Sequence, residues 1–304
     1  MNFKNIFLLI IFIVGIILSG CSNKSDVDSD TNSNILNNFF NKNENSGASS
    51  KNYPYLEIEI PNLKNKNEIN INEPFNIILK LYNPSSFDMK NVKGKISGYD
   101  TGFITGITPD ITFNDIRGKI RDRIDYKTVS IGPASANNFK IEYKPNFNFK
   151  ICYEQEVKFT SEDYTIPSED SYDPFDKAKF KDLKLPLQIT MSDAYNDGDN
   201  NIIFIFDLKN VGQGKVINEC FNTEQLISVP VIINSFKVGS IQGTCKDAYT
   251  DESNKVIIRN GEGSIKCSVS RNNPNEYNTQ IILGLSYKYQ FEKSKQINFK
   301  DPKS

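Results

Sequence analysis

From Tyr53 onward, apolar and polar positions alternate with a period of two in one short run after another. Leu56, Ile58 and Ile60 are separated by Glu57 and Glu59, and Phe75, Ile77, Leu79 and Leu81 by Asn76, Ile78 and Lys80. An extended strand sends successive side chains to opposite faces, so this spacing predicts strands with one buried face. The same reading gives strands over Val92 to Tyr99, over Phe139, Ile141 and Tyr143, and over Phe147, Phe149, Ile151, Tyr153, Val157 and Phe159. Further on it gives Leu185 to Ile189, Ile202 to Leu208, Val229 to Ile233, Val238 to Thr244, Val256 to Ile258 and Ile265 to Val269. The strongest alternation is Ile281, Leu283, Leu285, Tyr287, Tyr289 and Phe291. Turns are expected at Asn83 to Ser86 and at Asn196 to Asp199, where Gly198 supplies the positive φ of a hairpin.

One stretch breaks the rule. Between Thr101 and Ile131 the alternation weakens, and Ile116, Ile120 and Ile124 recur at helical spacing behind Asn114, a residue suited to an N-cap. A short helix is therefore expected, with Arg117, Lys119, Arg121 and Arg123 on its other face. Such a basic cluster serves either anionic headgroups or nucleic acid, or is simply a solvated face, and the solvated face is the expectation.

The N-terminus has a different character. Lys4 precedes an uncharged apolar run from Ile6 to Leu18, which the small residues Ser19 and Gly20 follow, the pattern of a secretory signal. As a helix the run spans about 20 Å, short of the ~30 Å hydrocarbon core of a bilayer. Leu18-Ser19-Gly20-Cys21 resembles the lipobox of prokaryotic lipoproteins. The resemblance implies that Cys21 becomes a lipid-bearing N-terminus, and the bland alternative is a plain signal or short hydrophobic anchor. Both readings leave the rest of the chain outside the cytoplasm, at the outer face of the cytoplasmic membrane or the cell surface. Asn, Ser, Asp and Lys then dominate up to Lys51, too polar a composition to offset the entropy of ordering, so a disordered tether is expected over residues 21–52. Asp26, Asp28 and Asp30 alternate within it and are read as a solvated acidic tail rather than a cation site.

Two stretches repeat at an offset of 127 residues. Leu79-Lys80-Leu81-Tyr82-Asn83-Pro84-Ser85 aligns with Phe206-Asp207-Leu208-Lys209-Asn210-Val211-Gly212, placing Asn83 over Asn210 at the end of an apolar strand. Leu208-Lys209-Asn210-Val211-Gly212-Gln213-Gly214 resembles the strand-Asn-x-Gly turn of the cell-adhesion-related bacterial domain (CARDB) and similar immunoglobulin-like domains of prokaryotic surface proteins. The first half departs from it, with Pro84-Ser85 at the glycine turn. The fold expected is all-β: a signal over residues 1–20, the tether, an immunoglobulin-like β-sandwich over 53–168, a linker over 169–182 rich in acids and holding Pro174, and a second sandwich over 183–304.

Chemistry narrows the function by subtraction. The 304 residues include no histidine, which removes Ser-His and Cys-His nucleophiles and the commonest metal ligand. There is no Ser-x-x-Lys and no Gly-x-Ser-x-Gly, and Gly212-Gln213-Gly214-Lys215 is too short for a phosphate loop. Counted as an EF-hand loop, the Asp197 region misplaces its glycine or its twelfth residue. Carboxylate-only chemistry, as in glycosidases, is not removed by these absences, because such pairs obey no local spacing rule. No catalytic, cofactor or metal site is assigned. Acids and bases nearly balance, at 37 and 36, so no whole-protein pull on nucleic acid is indicated.

Beyond Cys21 four cysteines remain, an even set in a compartment that permits disulfides. Cys245 shares a face with Ile241 and Gly243, and Cys267 with Ile265 and Val269, so a Cys245–Cys267 bond is expected, with ~3 kcal/mol of chain-entropy stabilisation. Cys220 competes for either partner, and Cys152 lies opposite its strand's aromatic row, away from the core. The expected function is that of a non-catalytic, membrane-anchored surface lipoprotein of adhesion type that contacts another surface protein or polymer. The alternative is a ligand-binding accessory of a transporter or of a cell-surface polymer.

Overall fold

A computed structural model describes residues 52–63, 67–137, 142–170, 175–198, 200–222 and 228–301. The expected signal and nearly all of the tether, including Cys21, Asp26, Asp28 and Asp30, lie outside the described residues, as do Phe139 and Ile141. What is described is all β. The first half of the body holds β1 (Tyr55–Glu59), β2 (Glu68–Asn70), β3 (Phe75–Asn83), β4 (Met89–Ser97), β5 (Ile104–Thr105), β6 (Asp110–Thr112), β7 (Asp125–Ala136), β8 (Asn146–Thr160) and β9 (Tyr164–Ile166). The second holds β10 (Leu187–Asn196), β11 (Asn201–Asn210), β12 (Lys215–Ile217), β13 (Ser228–Val238), β14 (Ile241–Gln242), β15 (Thr244–Asp247) and β16 (Lys255–Arg259). It continues with β17 (Glu262–Ser270), β18 (Tyr277–Thr279), β19 (Ile281–Gln296) and β20 (Asn298–Lys300). Val238 to Thr244, expected as one strand, is broken by a turn at Gly239, where φ is 60°.

The alternation does what it promises. Phe75, Ile77, Leu79 and Leu81 on β3 and Phe147, Phe149, Ile151 and Tyr153 on β8 are fully buried. Each such side chain contributes ~2 kcal/mol by leaving water. A four-stranded sheet runs β1-β3-β7-β5, and the larger sheet runs β10-β11-β17-β16-β13-β19-β8-β4-β6. Its β16–β17 junction rests on one residue pair, Arg259 with Glu262, so the sheet turns back there. Phe204 and Phe206 of β11 thus meet Phe236 of β13, with ring centroids 5.8 and 5.9 Å apart, as facing layers of a sandwich do.

The centre of the larger sheet has a symmetric order, β4-β8 on one side and β19-β13 on the other. Strands β8 and β19 pair antiparallel without interruption from Asn146↔Gln296 to Thr160↔Ile282, with Tyr153 opposite Tyr289. Sequence-distant halves are laced further by β2 with β20 and by β9 with β18. The linker expected at 169–182 therefore separates two stretches that share one sheet, and residues 48–304 form one compact unit. The repeat seen in the sequence has a structural counterpart. Asn83 accepts from the Ser85 N–H (3.2 Å) and donates to the Phe87 carbonyl (2.8 Å); Asn210 accepts from the Gly212 N–H (3.2 Å) and donates to the Gly214 carbonyl (2.7 Å). Each asparagine closes the turn after its strand through the same two offsets.

Both pairs of cysteines are bonded. Cys245 and Cys267 face each other across β15 and β17 with Cα atoms 4.0 Å apart. Cys152 joins Cys220, Cα–Cα 5.7 Å. Cys152 does lie opposite the aromatic row of β8, yet it is fully buried, which corrects the expectation from alternation. The segment after β12 crosses the outer face of the sheet there: the Phe221 N–H donates to Gln290 Oε1 at 2.8 Å, and Gln290 is the register partner of Cys152.

Two buried polar groups make opposite predictions. The Tyr153 hydroxyl is buried with no hydrogen-bond partner among the described residues, whereas the Tyr289 hydroxyl accepts from the Gly214 N–H (2.8 Å) and donates to Asn210 Oδ1 (3.1 Å). In urea unfolding, Tyr153→Phe should leave stability unchanged or raise it by up to about 1 kcal/mol, and Tyr289→Phe should lower it by about 1–2 kcal/mol. Asp247 takes N–H groups from Tyr249, Thr250 and Ile257 at 2.8–2.9 Å. Burial pushes its pKa up, but those donors outweigh burial and hold the carboxyl below its ordinary value. Its stabilising share is thus present above about pH 4 and lost as pH falls below that. Asp247→Asn, which turns an NH2 toward one of these donors, should cost about 2–3 kcal/mol at pH 7 and flatten the acid limb of a stability-against-pH series.

Candidate functional site

The basic stretch marked in the sequence is not a helix. Asn114 and Arg121 have φ of 59° and 56°, and Ile116 is fully buried while Ile120 is 63% exposed. Isoleucines four apart would share a helix face; here the chain runs nearly extended, and its polar groups are drawn sideways rather than along an axis. Ile116 exchanges N–H and carbonyl with Met89 (2.9 and 2.8 Å), and the Lys119 N–H reaches the Ser85 carbonyl (2.6 Å). The Gly118 N–H donates to Asp88 Oδ1 (2.7 Å) and the Arg117 N–H to Asp125 Oδ2 (3.2 Å). From below, Asn83 Nδ2 donates to the carbonyls of Arg117 (3.1 Å) and Ile116 (3.4 Å). A two-residue turn at Arg121-Asp122 closes on reciprocal bonds between Ile120 and Arg123.

This pinned stretch walls an open groove of ≈ 1390 Å³. The other walls come from β4, through Asn91 to Lys93, from Thr112 of β6, and from Asp125 and Lys127 of β7. Five cations line it: Lys93, Arg117, Arg121, Arg123 and Lys127. None of the five makes an ion pair with a described residue. Lys119 pairs with Asp122 at 3.7 Å. Of the lining acids, Asp88, Asp115 and Asp125 each commit an oxygen to a main-chain N–H, at 2.7, 2.9 and 3.2 Å. The cations are left facing solvent while the acids hold the backbone.

The outer face of the central sheet is a useful contrast. Three of its lysines are matched across strands: Lys288 to Glu154 at 3.4 Å, Lys90 to Glu156 at 3.5 Å and Lys150 to Glu292 at 4.0 Å. Such exposed pairs add little stability, but they cancel charge locally. In the groove no lining cation forms such a pair with a described residue, although Asp88, Asp115, Asp122 and Asp125 stand among the five cations and leave the lining only one charge positive.

A row of tyrosines crosses the first sheet beside the groove. Tyr55, Tyr82 and Tyr126 are register neighbours with ring centroids 4.7 and 5.1 Å apart. Burial and the hydrogen bond to Glu57 push the Tyr82 phenol up to about 12. Because these rings stack on one another, their faces are largely covered; Tyr126, 49% exposed, ends the row.

Other marked residues lie apart from the groove. The Asp197 region is a turn, with φ of 85° at Gly198 and Asp197 Oδ1 accepting from the Asn201 N–H at 3.2 Å. Among the described residues no cluster of three or more acids or cysteines is arranged to hold a metal. Sequence reading found the arginines but not the supporting roles of Asn83, Asp88 and Asp125, which lie up to 34 residues away from the main chain they position, nor the lining cations Lys93 and Lys127. The one local signal was Asn83-Pro84-Ser85, legible as an Asx turn but not as a support for anything distant. No protein-family model matches the chain, and no curated protein matches it.

Asn83 is the test of this construction, since its fully buried amide serves both its own turn and the groove wall. Asn83→Ala should lower unfolding stability by about 3 kcal/mol, because it strands several buried partners. Amide exchange at Gly118 and Lys119 should quicken by more than the global loss accounts for.

Proposed function

We propose that this chain is a non-catalytic interaction module of the cell surface, exported and held at the outer face of the cytoplasmic membrane through a lipid on Cys21. The apolar run to Leu18 and the Leu18-Ser19-Gly20-Cys21 box support the anchoring. Two disulfides suit an oxidising compartment. The observation that carries the interaction reading is the groove: its main chain is fixed from several sides while five cations project from it, none ion-paired with a described residue. A surface ordered before its partner arrives loses less entropy on binding. Contact with another surface protein is the first reading. Binding of a surface polymer is the second, favoured by the groove's concavity.

Two measurements on intact cells test this. Radiolabelled palmitate should enter the protein and be lost in Cys21→Ala, with the body of the wild type open to added protease. A photoreactive residue in place of Arg121 should crosslink to another surface component, and one in place of Lys181, on the stretch between β9 and β10, should not. Unlabelled protein overturns the anchoring; equal crosslinking from both positions, or from neither, overturns the interaction.

A further inference from the structure

The first sheet is incomplete beside the groove. Strand β7 pairs with β3 along its length, from Asn83↔Asp125 to Phe75↔Ala134. On its other side, β5 covers only Ser135 and Ala136. Asp125 to Ser130 therefore has no strand neighbour on that side among the described residues. It offers a row of main-chain donors and acceptors at the mouth of the sandwich, and Lys127 from this row lines the groove.

An open edge of this kind accepts an extended peptide as one more strand. The surroundings set the character of that peptide. Arg117, Arg121, Arg123, Lys93 and Lys127 lie along the same opening, none ion-paired with a described residue; of the four aspartates among them, Asp88, Asp115 and Asp125 are each bonded to a main-chain N–H and Asp122 lies beside Lys119, whereas the free guanidinium groups bind carboxylates through two parallel hydrogen bonds. Ile120, 63% exposed, adds an apolar contact on the wall. Resting on the groove as the interaction surface, we infer that the occupant is an extended acidic segment of a partner protein, paired with the free edge of β7 from Asp125 to Ser130 and held by the arginines.

A polymer held by charge alone would use the cations and ignore the strand edge. A nucleic acid would find no aromatic side chain in the groove lining for its bases. A bilayer would use the exposed arginines and leave the strand edge unpaired. Carboxylates at every second residue of an extended peptide fall on one face, which matches one cationic wall.

The test uses the full-length protein in a neutral detergent and a fluorescein-labelled peptide of alternating glutamate and valine. Binding should weaken tenfold or more in the triple variant Arg117→Gln/Arg121→Gln/Arg123→Gln, whose altered side chains are all exposed, and should weaken with added salt. A copy of the peptide N-methylated at alternate residues, which cannot pair as a strand, should bind at least tenfold more weakly. Amides among Asp125 to Ser130 should become protected from exchange when the unmodified peptide binds. Equal binding of the methylated copy, competition by polygalacturonate as strong as by the peptide, preference for phosphatidylglycerol vesicles, or unchanged exchange at β7 would each overturn the inference. Crosslinking at position 121 on cells, with no peptide binding, would reject the acidic strand and leave the interaction reading standing.

Discussion

The ladder between β8 and β19 is the constraint on which the rest of the body depends. Fifteen residue pairs, Asn146↔Gln296 to Thr160↔Ile282, hold together stretches more than a hundred residues apart in the chain. Both strands must bury an apolar row on the same side, and both do, from Phe147 to Phe159 and from Ile281 to Phe291. Once they pair, β4 and β13 flank them in mirrored order, and the strands of the two halves of the chain meet at this seam within one sheet. Contacts this distant in sequence form late and slowly, since loop closure must precede their reward.

The groove hangs from that ladder. Gln155 and Tyr287 are register partners within it, and the Tyr287 hydroxyl donates to Gln155 Oε1 at 3.1 Å. Gln155 in turn donates to Ser85 Oγ at 3.2 Å, Ser85 donates its N–H to Asn83 Oδ1, and Asn83 holds the carbonyls of Ile116 and Arg117. A continuous file of hydrogen bonds thus runs from the middle of the sheet to the backbone beneath the arginines. A satisfied buried network is rigid, because displacing one member strands the buried donors and acceptors of the others. The basic stretch is held in a non-helical path by this file rather than by any preference of its own residues.

Strands with one wet face were legible in the sequence because burial leaves a period-two trace. The rows on β3, β8 and β19 read off directly. Strand β7 did not, because most of Asp125 to Ser130 is exposed at an open edge, with only Val129 packed against the core, and so lacks alternation. The isoleucines at 116, 120 and 124 imitate a helix, and only the position of Met89, Ser85 and Asn83 reveals where their backbone bonds go. Cys152 misled in the opposite sense: alternation reports one sheet's two faces and is silent about a loop laid across the outer one. The equivalence of Asn83 and Asn210 was visible as an offset of 127 residues, but their shared turn geometry was not. Which strands pair is a property of the folded chain, and no local pattern distinguished the β8–β19 partnership from pairing within each half.

The Cys152–Cys220 bond turns residues 152 to 220 into a closed ring. That ring contains the stretch between β9 and β10, where among the described residues 175–186 hold no strand and only the Ser161↔Phe180 bridge. A peptidase in the cell's surroundings that nicked this stretch would open the ring without shedding either piece. The cut chain would stay one covalent molecule, its two ends still sewn into a common sheet, and only a reductant would part them.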